Sequence, residues 1–130
     1  PGRPLLVCGD FNIHGSDPGQ KEYVALVTAM RAEGLQDLDA VQRRATCDPA
    51  RNELLRQHEP GATATRLDYL FLRVPMPDRF MLGVEAVRLF LDQPLDDIRP
   101  SWKATTGLSI DPFASDHFGL SVELSYVPLE

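Results

Sequence analysis

Cysteine is scarce. Cys8 and Cys47 are the only two in 130 residues, too few for a disulfide framework and without the paired spacing of a zinc site. Apolar runs stop at four or five residues, so no membrane-spanning helix is expected. No basic-then-apolar leader precedes the first motif, so no signal peptide is expected either, and the compartment stays open. Lysine is almost missing: of 13 cationic residues only Lys21 and Lys103 are lysine, against 19 acidic residues and a formal charge of −6. A basic nucleic-acid footprint and a basic membrane-surface helix are therefore both absent from this segment. Repeats and low-complexity stretches are absent too. What remains is an ordinary globular mixture, 43% hydrophobic and 25% charged, which argues against disorder and for one domain or a piece of one.

Pro4 to Cys8 is a short apolar run ending at Gly9, the pattern of a buried strand feeding a loop. The Gly-, Pro-, Ser- and Asp-rich stretch from Asn12 to Gly19 is that loop. A helix is expected next, with Asp17 as N-cap, Pro18 in the first position and Gln20 as the capping-box partner. Tyr23, Leu26, Val27 and Met30 then make one apolar stripe, read as core packing, and Gly34 closes the helix. Residues 35–65 carry weak signals, with a helical turn suggested from Asn52 to Gln57. Leu67 to Val74 is nearly continuously apolar, as in a strand covered on both faces. Leu82 to Leu91 reads as a strand whose apolar phase shifts near Ala86 and Val87, implying a bulge. Residues 92–115 read as a long loop, with Asp96 and Asp97 as solvated loop charges. The last strand alternates, with Phe118, Leu120, Val122, Leu124 and Tyr126 on one face.

Three polar clusters sit at strand ends. In Gly9-Asp10-Phe11-Asn12, an extended chain would project Asp10 and Asn12 to one side, able to hold a hard cation or orient a water. An Asx turn is the plain alternative. In Arg66-Leu67-Asp68-Tyr69, the carboxylate of Asp68 lies inside an apolar strand and needs a partner. That partner is either Arg66, as a structural ion pair, or an imidazole. The third cluster, Ser115-Asp116-His117, supplies one: Asp68 could accept from one nitrogen of His117 and leave the other for chemistry. His14 and His58 fall in loop-like stretches and read as surface residues.

The order GDFN, RLDY, SDH resembles the endonuclease/exonuclease/phosphatase superfamily, with its DNase-I-like fold, over Leu5 to Val127. The resemblance implies an α/β four-layer sandwich, of which this chain would hold a mixed, mostly antiparallel sheet with flanking helices. It also implies divalent-metal phosphoester hydrolysis, with Mg²⁺, Mn²⁺ or Ca²⁺ as cofactor. Asp10 would orient or deprotonate the attacking water or ligate metal, and Asn12 would hold the phosphate or metal. Asp68 would orient His117. Asp116 would bind metal directly or through water, and His117 would contact the scissile phosphate or the metal.

The family also carries an Asn, a metal-binding Glu and a second His ahead of its GDFN strand, and none has a counterpart after Pro1. Residues 1–130 are therefore expected to be the C-terminal portion of such a domain, inefficient as a catalyst by themselves. With a partner sheet missing, the dry face of the last strand would be either covered by helices of this half or exposed; an exposed face of that size favours self-association, and a dimer or higher oligomer is expected. Thr46-Cys47-Asp48-Pro49 with Asn52 and Leu54, and the ending SDHFGLSVEL, resemble neutral sphingomyelinases and their bacterial relatives. With the acidic charge, this favours a lipid or small phosphodiester, met at a membrane surface in the lipid case, over nucleic acid. A nuclease and a non-catalytic interaction module are the alternatives.

Overall fold

A computed structural model describes residues 3–74 and 80–128. The arrangement is α+β, with two antiparallel sheets and a few helices. Strands β1 (Leu5–Asp10), β2 (Gln36–Asp37) and β3 (Asp68–Arg73) form one sheet in the order β1-β3-β2. Strands β4 (Phe80–Phe90) and β5 (Gly119–Pro128) form the other. Helices α1 (Lys21–Ala32), α2 (Glu53–His58) and α3 (Arg99–Thr106) complete the chain. None of them is long and apolar enough to cross a membrane.

The core grows from the continuous apolar run of β3, where Tyr69, Leu70, Phe71 and Leu72 are all buried. Tyr69 and Phe71 point to the side covered by α1, whose Tyr23 and Val27 are buried against them, with Leu26 and Met30 packed alongside. The expected helical stripe is thus core. Its rings are ordered: Tyr69 stacks on Phe71 at 5.7 Å and on Tyr23 at 6.2 Å, while Phe11 stands edge-on to Tyr69 at 5.6 Å. Edge-to-face and offset contacts of this kind suit the ring quadrupoles.

The helix starts later than the sequence suggests. Asp17 spends its carboxylate on the N–H of Gly19 at 2.8 Å, closing a turn, and Gln20 occupies the N-cap with no side-chain cap. The Asx turn competes successfully with the cap because Gly19 gives the helix little incentive to extend backward. The far end agrees with expectation. Gly34 is left-handed at φ 73°, and the N–H groups of Gly34 and Leu35 return to Arg31 and Met30, a Schellman closure.

The stretch 92–115 is not the open loop expected. It holds a 3-10 turn, Asp96–Ile98, running into α3, with Pro100 in the first turn and left-handed Gly107 ending it. Pro100 begins this helix rather than breaking it, because at a helix start its missing N–H costs nothing. Asp96 is exposed, as expected, but pairs with Arg99 at 2.6 Å.

In the second sheet the anticipated phase shift is a register shift between Val84 and Ala86. It places Leu82 and Val84, then Val87 and Leu89, opposite Tyr126, Leu124, Val122 and Leu120. Were Glu85 kept in a regular ladder with no bulge, half of these apolar side chains would face the other way.

Candidate functional site

The antiparallel register sets Asp10 directly opposite Asp68 at the end of β1 and β3. Two carboxylates facing each other across a ladder repel, and a cation or proton donor between them relieves that repulsion. His117 reaches the same place from the loop before β5. Its Nδ1 lies 2.9 Å from Asp68 Oδ2. A carboxylate only accepts, so Nδ1 carries the proton and Nε2 is the nitrogen left for other work. One ligand atom each from Asp10, Asp68 and His117 fall within 4.8 Å of one another. Both members of the His–Asp pair stay partly open, with His117 26% and Asp68 20% exposed at the side chain.

Arg66 is not the partner of Asp68. It is fully buried and donates both terminal nitrogens to Asp37, at 2.9 and 2.6 Å, with its guanidinium 4.3 Å over the Tyr69 ring. Burial alone would lower its pKa, but the bonds and charge of Asp37 hold it above the ordinary value. The structural ion pair exists, then, one strand away from the position first considered, and Asp68 is left to His117.

The Asx turn in the first cluster is real: Asp10 Oδ1 accepts the N–H of Asn12 at 2.8 Å. Asn12 is left-handed at φ 53°, so the extended geometry expected for these two residues does not occur. Asn tolerates this conformation better than most residues. Asp116 falls outside the three-residue cluster; its carboxylate accepts from Ser115 Oγ at 3.1 Å.

Beside the cluster opens a pocket of about 340 Å³ whose walls include His14, Cys47, Leu55, Glu59, Thr65 and His117. Two larger clefts, of about 470 and 350 Å³, are lined by neither Asp68 nor His117. His14, read from sequence as a plain surface residue, is exposed but joined to Thr65 Oγ1 at 2.8 Å on the pocket wall. His58 is exposed on α2, as expected. The Cys47 thiol is pushed up to about 12 by burial and then by Asp68, Asp116, Asp10 and Glu59. It remains a thiol at neutral pH and offers no thiolate nucleophile. The same shift reports a negative field around the pocket, and no Lys or Arg among the described residues lines it.

Two residues that the sequence marks only through a resemblance, with no role in the site assigned to them, hold it from behind. Thr46 and Asn52 are wholly buried. The Thr46 hydroxyl accepts from the N–H groups of Leu67 and Asp68 at 3.1 and 3.2 Å. Asn52 caps α2 and donates to the carbonyls of Ser115 and Asp116. An N-cap at Asn52 was legible from the helical turn after it; its reach across more than 60 residues was not.

The donor set suits a hard divalent cation in part. Mg²⁺ binds through one or two carboxylates and keeps several waters, which Asp10 and the negative surroundings can satisfy, while Asp68 is already engaged by His117. No protein-family model matches the chain, and none of the curated proteins or solved structures matches it.

Proposed function

We propose that this chain carries the histidine side of a divalent-metal-dependent phosphodiesterase site, in a domain belonging to a DNase-I-like sandwich. The observation that carries this reading is the meeting of Asp10, Asp68 and His117 from three distant segments. Phosphodiester hydrolysis needs a positioned water, a counter-charge on the phosphoryl oxygens and a proton for the leaving oxygen. In this reading Asp10 orients the water and holds Mg²⁺ or Mn²⁺, with Asn12 and Asp116 as neighbouring oxygen donors. The metal, when bound, neutralises phosphate charge. Asp68 keeps the proton of His117 on Nδ1, so that Nε2 meets the phosphate or the leaving oxygen. The pocket supports a small or lipid phosphodiester over nucleic acid, because among the described residues no Lys or Arg lines its wall to meet a polyanion.

Mn²⁺ should selectively broaden the NMR signals of Asp10, Asp68 and His117, and Asp10→Asn should weaken binding about 10–100-fold. No binding at millimolar Mn²⁺ would sink the reading. Three protein donors leave much of the coordination sphere open, so efficient turnover by this chain alone is not expected. Any Mg²⁺-dependent hydrolysis should favour sphingomyelin over duplex or abasic DNA and fall by roughly 10²–10⁴-fold in His117→Ala.

The interaction-module reading draws on the second sheet, where Val84 is 43% and Leu124 38% exposed on one face. A second copy is the proposed occupant of this face. Light scattering at micromolar concentration should give a mass above the monomer, lowered by Val84→Lys; a monomeric mass counts against it.

A further inference from the structure

We propose that Thr46 and Asn52 are positioning residues for His117 and Asp68: a buried brace that sets the direction of the imidazole. The proposal rests on taking the Asp68–His117 pair as the working centre of the site. Thr46 touches the backbone of Asp68 and of Phe118, the residue after His117. Its hydroxyl accepts from the N–H of Asp68 at 3.2 Å, and its carbonyl accepts from the N–H of Phe118 at 2.6 Å. Asn52 takes the other flank, its Nδ2 donating to the carbonyls of Ser115 at 2.8 Å and Asp116 at 3.2 Å. His117 is thus clamped by the residues before it and the residue after it, and both clamps come from one seven-residue stretch.

The amide of Asn52 has no freedom to turn. Its Oδ1 accepts from Leu55 N at 3.2 Å, so Nδ2 must face the Ser115 and Asp116 carbonyls. The stretch is itself fixed by Thr46 and Cys47 donating to Thr65 O, and by Asn52 N–H returning to Asp48 O. Arg51, between the two, lies 5.0 Å from the Phe118 ring centroid. Buried polar groups satisfied on every side hold one geometry, and losing a single partner is costly. Site precision of about half an ångström depends on such support.

The test uses the whole chain and needs no turnover. The imidazole N–H proton of His117, identified by its loss in His117→Gln, reports the bond to Asp68. Thr46→Val keeps the shape but removes the acceptor. Asn52→Asp keeps the acceptor that caps α2 but removes both donated bonds. Each should retain a native amide spectrum away from the site yet lose the imidazole signal, while Thr46→Ser restores it. Mn²⁺ affinity should fall about 10–100-fold in the first two variants and be unchanged in Thr46→Ser. Folded Thr46→Val or Asn52→Asp protein with an unaltered imidazole signal would overturn the brace; Asn52→Asp decides the matter should Thr46→Val not fold. Failure of the wild type to bind Mn²⁺ overturns the metal reading above and leaves the imidazole comparison standing.

Discussion

The two sheets of this protein use strands in opposite ways. β3 has six residues, four of them buried, and Asp68 stands at its start, opposite Asp10 of β1. β4 and β5 are the longest strands, with 11 and 10 residues, yet none of their described side chains is buried. Their apolar face is only half covered. Strand length therefore does not measure a strand's contribution to the core. What matters is whether both faces find partners, and only β3 lies between two neighbouring strands with α1 across one face. The candidate site hangs on the strand with the least freedom to move.

Equal truncations in the two sheets should separate most widely. Phe71→Ala, at a fully buried ring, is expected to cost about 3–5 kcal/mol. Val84→Ala in the second sheet should cost under about 1 kcal/mol, because the side chain is largely exposed already. Urea unfolding of both variants makes the comparison, and near-equal losses would break it.

The two cysteines sharpen the contrast. Cys8 is exposed and Cys47 buried, so a thiol reagent should label one in the native protein and two after denaturation. Burial and nearby carboxylates raise the Cys47 pKa from 9.0 to about 12 in the fold. The unfolded chain therefore releases its proton first as pH rises. Cys47 thus supports the fold fully below pH about 9, and that support drains away between 9 and 12. Tyr69, also raised to about 12 by burial, acts in the same direction from pH about 10. Denaturation midpoints between pH 8 and 10 should fall in the wild type and fall less in Cys47→Ala. A slope unchanged by the substitution would contradict the assignment.

The smallest effect is expected at the bulge. Deleting Glu85 makes the spacing of Val84 and Val87 regular, so the apolar face survives. The melting temperature should shift by only a few degrees, and a collapse would mean the extra residue does more than set register.

Much of this was legible from local pattern. The β3 run, the α1 stripe, the Gly34 closure and the phase shift in β4 each follow from periodicity within ten residues. The pairing of Asp68 with His117 was legible because a carboxylate in an apolar strand must find a partner, though Arg66 was an equal candidate. The winner was decided by Asp37, on a two-residue strand with no sequence signature. The α1 start was misread because an Asx turn and a helix cap use the same residues, and α3 because Pro100 both breaks helices and begins them. The site roles of Thr46 and Asn52 were not legible for another reason: their partners at the site lie 21 to 72 residues away, beyond any local rule.

That long reach has a consequence for synthesis. The site joins Asp10, the segment from Thr46 to Asn52, Asp68 and the segment from Ser115 to Phe118. A growing polypeptide can bury the Tyr69 and Phe71 rings beneath α1 once residue 73 is free of the ribosome. It cannot close the His117 clamp until Phe118 has followed. At roughly 5–20 residues per second, the core would wait a few seconds with Asp10 and Asp68 facing each other and no imidazole between them. During that interval solvent, the Asn12 N–H on Asp10 and any bound cation would be left to offset the two charges.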